Sequence, residues 1–165
     1  MNSVRTLVGT RARRPNGSDR TMAFTEEEIA YLQSSGLGRL ATVDGDGQPD
    51  VVPVAVEFDG LHFWVGGAGQ SVTDTRKFRN VASGQRQVAL VIDDIVSYDP
   101  FVARGVRVYG IAEQPFERTG MIGPGTFMRI TPRVSWSWNL AGEPAADTWY
   151  ETRRTVHSHA RGDAP

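Results

Sequence analysis

Two clusters of turn residues, Asp44-Gly45-Asp46-Gly47 and Asp59-Gly60, cut the chain between Leu37 and Gly67 into three short runs rich in β-branched and aromatic residues. Asp-Gly pairs supply the positive backbone angles that tight hairpins require, so "LGRLATV", "QPDVVPVAVEF" and "LHFWVGG" read as an antiparallel meander. Three later runs, "RQVALVID", "RGVRVYGIAEQ" and "TFMRITPRVSWSW", share that composition. About six antiparallel strands with a few short helices predict a mainly β fold, and closure into a barrel removes the free edges of the meander. A small barrel fills its own interior, which places a ligand outside it.

The segment "FTEEEIAYLQSSG" carries a helix start: Thr25 and Glu28 form a capping box, Phe24 and Ile29 a hydrophobic staple, and Gly36 a stop. A second, short helix is expected from Thr73 to about Ser83, capped by Thr73 or Asp74, with Val72, Phe78, Val81 and Ala82 as its apolar face. "GMIGPG", Gly120 to Gly125, reads as an irregular loop. Residues 1–21 read as a disordered arm, with Met22 a second candidate start. Residues 22–142 read as one barrel domain, and 143–165 as a loosely held tail or a short helix around "ADTWYETRRTVH".

The 165 residues include no cysteine, which removes disulfides, thiolate metal sites and cysteine nucleophiles and fits a cytoplasmic location. Arg5, Arg11, Arg13, Arg14 and Arg20 against Asp19 give the arm a charge of +4, leaving -5 on the remainder. A body of that sign offers no general attraction to nucleic acid. No apolar run approaches the length of a membrane span. His62 lies between apolar neighbours and reads as structural; His157 and His159 have no acidic pattern beside them, so no metal site is expected. A GxSxG elbow is absent.

The stretch "GGAGQSVTDTRKFRNV", Gly66 to Val81, combines a glycine-rich turn with Arg76, Lys77 and Arg79. It lacks the third glycine and the strand-helix context of a dinucleotide fingerprint. The cations read either as a solvated helix face or as an anion site. Trp136 and Trp138 point to one side of a strand and read as core, with packing against a planar ligand as the alternative.

"LGRLATVDGDGQPDVVPVAVEFDG", "TRKFRN", "VALVIDD", "RGVRVYGIAE" and "RITPRVSWSW" occur in an order similar to that of flavin and deazaflavin split-barrel proteins. The chain, over roughly Phe24 to Leu140, resembles the pyridoxamine 5'-phosphate oxidase-like superfamily, and more closely its F420-dependent branch. The resemblance implies an FMN-binding type of split barrel, a homodimer, and cofactor sites at the subunit interface. It places the cofactor phosphate on Arg76 and Lys77, with Thr75, Arg79 and Asn80 close by, and the ring along the backbone of Val51, Val52 and Pro53. Arg39 and Arg104 are candidates for the acidic tail of F420, and Trp138 for substrate contact. Asn139 stands where the family usually has glycine, and "GGAGQSVTD" is about two residues longer than in relatives.

The function so implied is an F420H2-dependent reductase that transfers hydride to an activated double bond of a conjugated small molecule. Reductases of natural-product pathways, including those acting on dehydrotetracyclines in antibiotic biosynthesis, are among the relatives. Tyr98, Tyr109 or water would supply the proton. The alternatives are an FMN-dependent oxidase or flavin reductase, and a non-catalytic cofactor-binding protein.

Overall fold

The computed structural model describes residues 23–158; the arginine-rich arm, Met22 and His159 lie outside the described residues. Helix α1 (Glu26–Ser34) begins at the expected capping box, with the Thr25 hydroxyl accepting from the Glu28 N–H and the Glu28 carboxylate accepting from the Thr25 N–H. The strands are β1 (Leu37–Val43), β2 (Pro49–Phe58), β3 (Phe63–Gly67), β4 (Gln87–Tyr98), β5 (Phe101–Ala112), β6 (Phe116–Gly120), β7 (Gly123–Trp138) and β8 (Thr152–Val156). Between β3 and β4 lie a 3-10 turn (Gln70–Val72) and helix α2 (Arg76–Ala82).

The order β3-β2-β1-β4-β5-β7 closes through pairing of β3 with β7, making a six-stranded antiparallel barrel. Strands β6 and β8 lie outside that ring, each paired with β7. Both predicted turns form as the local chemistry requires. Asp44 Oδ1 accepts from the N–H groups of Asp46 and Gln48, and Asp59 Oδ1 from those of Leu61 and His62. Inward residues Leu40, Val56, Phe63, Val65, Leu90, Ile92, Val106, Val108, Met128 and Ile130 are all but completely buried. Each such side chain contributes about 1.5–3 kcal/mol on leaving water. Phe24 and Leu32 of the α1 segment and Phe78 and Val81 of α2 join the same core.

Several expectations need correction. The six expected strands are the six of the barrel, and two further strands outside it, β6 and β8, were not legible. "GMIGPG" is the turn and flank of a hairpin, with Gly120 opposite Gly123 and only Met121 and Ile122 at the tip. Gly120 and Gly125 answer to close approach, and Gly123 to a positive φ of 97°: a Cβ on Gly125 would lie 2.2 Å from the Gly67 carbonyl oxygen. The segment read as a tail or helix supplies β8 instead. Strand β3 covers β7 only up to Ile130, so the backbone edge from Val134 to Trp138 would stand unpaired without Thr152–Val156. The N-cap of α2 is Thr75, not Thr73 or Asp74. Finally, Trp136 and Trp138 are half-buried on the outer side of β7; the inward residues are Ser135 and Ser137.

Candidate functional site

The glycine-rich turn leaves β3 at Gly66 and Gly67. Gly69, at φ 98°, holds a conformation that an L side chain resists, and the chain then tightens into the 3-10 turn. Thr75 sits in extended geometry ahead of α2; its hydroxyl donates to the Val72 carbonyl at 2.8 Å and accepts from Lys77 Nζ at 3.3 Å. Phe78 and Val81 anchor the helix in the core, so Arg76, Lys77 and Arg79 are carried by its outer side.

The three cations differ in what they meet. Arg79 turns back to its own segment and donates to the Asp74 carbonyl. Arg76 is exposed. Lys77 is half-buried, and burial pushes its ammonium below the usual lysine value while the attraction of Asp50 opposes that shift. Asp50 belongs to β2 and directly precedes Val51, so Lys77 stands beside the strand expected to carry a ring. Val51 and Pro53 project outward and are exposed, whereas Val52 is half-buried. The structure thus brings Thr75 and Lys77 to the start of the Val51–Pro53 segment.

Other expected residues lie elsewhere or are engaged. Asn80 is buried and donates to the Thr42 hydroxyl at 3.0 Å, tying α2 to β1. Arg39 pairs with Asp93, and Arg104 with Asp94 at 3.1 Å while lying over the Tyr31 ring. Tyr31 donates to Asp94 at 2.7 Å; burial first, then that hydrogen bond, raises its phenol well above the ordinary value. Tyr98 is exposed at the β4-β5 tip, and Tyr109 lies on the outer face of β5 with its ring edge-on to Trp136. Trp138 borders a cavity of about 210 Å³ together with Glu28, Ser137, Leu140 and Arg153.

Asn139, flagged as a departure, has φ 48°, the left-handed region where glycine is favoured and asparagine tolerated. Its side chain donates to the carbonyls of Ala103 and Glu143 and accepts from the Glu143 N–H. Sequence reasoning missed Asp50, the two aspartates facing Arg39 and Arg104, and the pair Arg107 and Arg154 on either strand beside Trp136. The alternation in "VRVYG" marked Arg107 and Tyr109 as sharing one face; nothing local marked Arg154.

An antiparallel split barrel with a cationic helix start beside β2 defines a class of small cofactor-binding proteins. The family model described as pyridoxamine 5'-phosphate oxidase matches residues 24–120, and the chain belongs to that family. Among characterised relatives, the 5a,11a-dehydrotetracycline/5a,11a-dehydrooxytetracycline reductase of Streptomyces rimosus subsp. rimosus is 39% identical over 131 residues, 74% of this chain and 87% of that protein. Among solved structures, a conserved hypothetical protein of Mycobacterium tuberculosis superposes with a TM-score of 0.56 at 25% identity, covering 79% of this chain and 96% of that one. An F420 reductase superposes with a TM-score of 0.50 at 20% identity, covering 68% and 98%, a likeness of fold. No helix among the described residues is long and apolar enough to cross a membrane.

Proposed function

We propose that this protein is an F420H2-dependent reductase acting on an activated double bond of a conjugated, tetracycline-like polyketide intermediate in the cytoplasm. The observation that carries the reading is the 39% identity to a dehydrotetracycline reductase across 87% of that enzyme. The residues present fit the cofactor. Arg76, Lys77 and Thr75 offer charge-assisted hydrogen bonds to its phosphodiester, and the exposed apolar edges of Val51 and Pro53 suit a flat ring.

When bound, the deazaflavin supplies hydride chemistry. The chain's own work is to hold and orient. Lys77, kept from solvent on one side and close to β2, fixes the phosphate end relative to the strand. The Val51–Pro53 backbone sets the ring's position, and Trp138 bounds the substrate side. Tyr98 and Tyr109 are the side-chain candidates for delivering a proton to the substrate carbon. A second copy of the chain is expected to complete the site, since Leu37, Val43, Val51, Tyr109 and Val156 leave much apolar surface exposed.

A second reading, favoured by the oxidase description of the family model, is an FMN-dependent oxidase or flavin reductase. Titration of the purified protein with F420 and with FMN separates the two. Tight binding of FMN without F420 overturns the first reading. Oxidation of F420H2 with a dehydrotetracycline supports it, and light scattering tests the dimer.

A further inference from the structure

Val51, Pro53, Ala55 and Glu57 alternate along the outer side of β2. The first three are exposed, whereas the β6-β7 hairpin folds over Glu57 and leaves 19% of its side chain open. Its Oε2 accepts from Arg118 Nη1 at 2.9 Å and its Oε1 from the Met121 N–H at 2.6 Å, so one carboxylate holds both the strand and the tip of the hairpin. Arg118 lies over Trp64 of β3, 4.3 Å from the ring centroid. Gly120 makes the approach possible: a Cβ there would sit 2.5 Å from Phe127 Cζ and would strike Glu57 Oε1.

From the clamped hairpin the contacts run on to the glycine-rich turn. Phe127 covers Gly66 so closely that a Cβ would lie 2.6 Å from its ring, and the Gly125 backbone meets that of Gly67 and Ala68. Val72 closes over Gly67, where a Cβ would lie 3.3 Å from its Cγ2. The Val72 carbonyl accepts from the N–H and the hydroxyl of Thr75 at 3.3 and 2.8 Å, and that hydroxyl accepts from Lys77 Nζ. Gly66, Gly67 and Gly69 give the turn wide conformational freedom of its own, so its shape has to be imposed from outside. An anion site whose donors are fixed beforehand loses less affinity to ordering.

We propose that Glu57 is a positioning residue for the phosphate site, holding the hairpin against the glycine-rich turn and so setting the place of Thr75 and Lys77. The proposal rests on the cofactor reading above.

Hydrogen exchange of the cofactor-free full chain and titration with F420 and FMN test it. Glu57→Ala should speed exchange at the Gly67–Thr75 amides and weaken cofactor binding, each about tenfold, while β1, β4 and β5 exchange as in wild type. In a Lys77→Ala background the same substitution should cost less than about twofold, because it acts through the ammonium's place. A full, additive loss there would overturn the proposal. Glu57→Gln, which keeps an acceptor for the Met121 N–H, should restore most of the affinity. Turn amides or an affinity unchanged by Glu57→Ala would also overturn it. Where Glu57→Ala fails to fold, Gly120→Ala, whose methyl displaces the carboxylate, should reproduce the weaker binding, and wild-type affinity in that variant counts against the role. If neither F420 nor FMN binds wild type, the cofactor reading fails, and inorganic pyrophosphate becomes the probe. Pyrophosphate binding that Glu57→Ala weakens keeps the positioning role; unaffected or absent binding removes it.

Discussion

Arg153 sets one guanidinium nitrogen 3.0 and 2.9 Å from the two carboxylate oxygens of Glu28, a residue 125 positions earlier and 1% exposed. The same carboxylate accepts from the Ser137 hydroxyl at 2.5 Å and from the Thr25 N–H at 2.8 Å. One side chain thereby caps α1 and joins it to β7 and β8.

Removing that carboxylate strands several donors at once. Glu28→Ala is expected to cost about 3 kcal/mol, and Glu28→Gln, which keeps part of the bonding, about 1–2 kcal/mol. Urea unfolding midpoints at unchanged slope measure both. A Glu28→Ala protein as stable as wild type would show that the junction contributes nothing.

Asn139 separates backbone strain from side-chain bonding. Asn139→Ala both forces an L side chain to keep φ 48° and loses the bonds to Ala103 and Glu143, for about 2–3 kcal/mol. Asn139→Gly loses only the bonds and should cost about 1 kcal/mol less. Thermal unfolding of the two variants side by side tests the order.

Asp59 links stability to acid. Burial disfavours its charge, but hydrogen bonds from the His62 N–H, the Trp64 indole and the Leu61 N–H outweigh burial and hold the carboxyl below its ordinary value. A folded value below the unfolded one gives stabilisation that is complete above the unfolded carboxylate range and is lost as pH falls through the folded value. Asp59→Asn should therefore lower Tm at neutral pH and flatten the acid limb of a Tm-against-pH curve. An acid limb identical to that of wild type would assign the slope to other groups.

The phosphate anchor has an unequal pair. Lys77, half-buried beside β2, should contribute more than exposed Arg76; each charge-assisted bond contributes about 1.5–3 kcal/mol. Fluorescence titration with F420 and FMN should place Lys77→Ala below Arg76→Ala in affinity, with unfolding curves unchanged enough to exclude collapse. Equal, wild-type affinities would return the cations to a solvated helix face.

What could be read from the chain was what its chemistry settles within a few residues. The Asp44 and Asp59 turns and the Thr25-Glu28 box close on themselves through bonds three or four positions long, and all formed where expected. The split barrel followed from those turns and the resemblance. The rest depended on partners far along the chain. Thr152–Val156 became a strand because β7 offered a bare edge, and Arg39 and Arg104 were committed by aspartates on a neighbouring strand. For Trp136 and Trp138 the shared side was right and its sense wrong, since Ser137 and Ser135 are held inward by Glu28 and His157.

The Glu28-Arg153 junction also sets an order of events during synthesis. The helix that opens the domain leaves the ribosome early with its carboxylate bonded only to its own cap. Its remaining partners emerge with β7, the last strand of the barrel, and with β8, so the junction cannot be completed until the last strand has been translated.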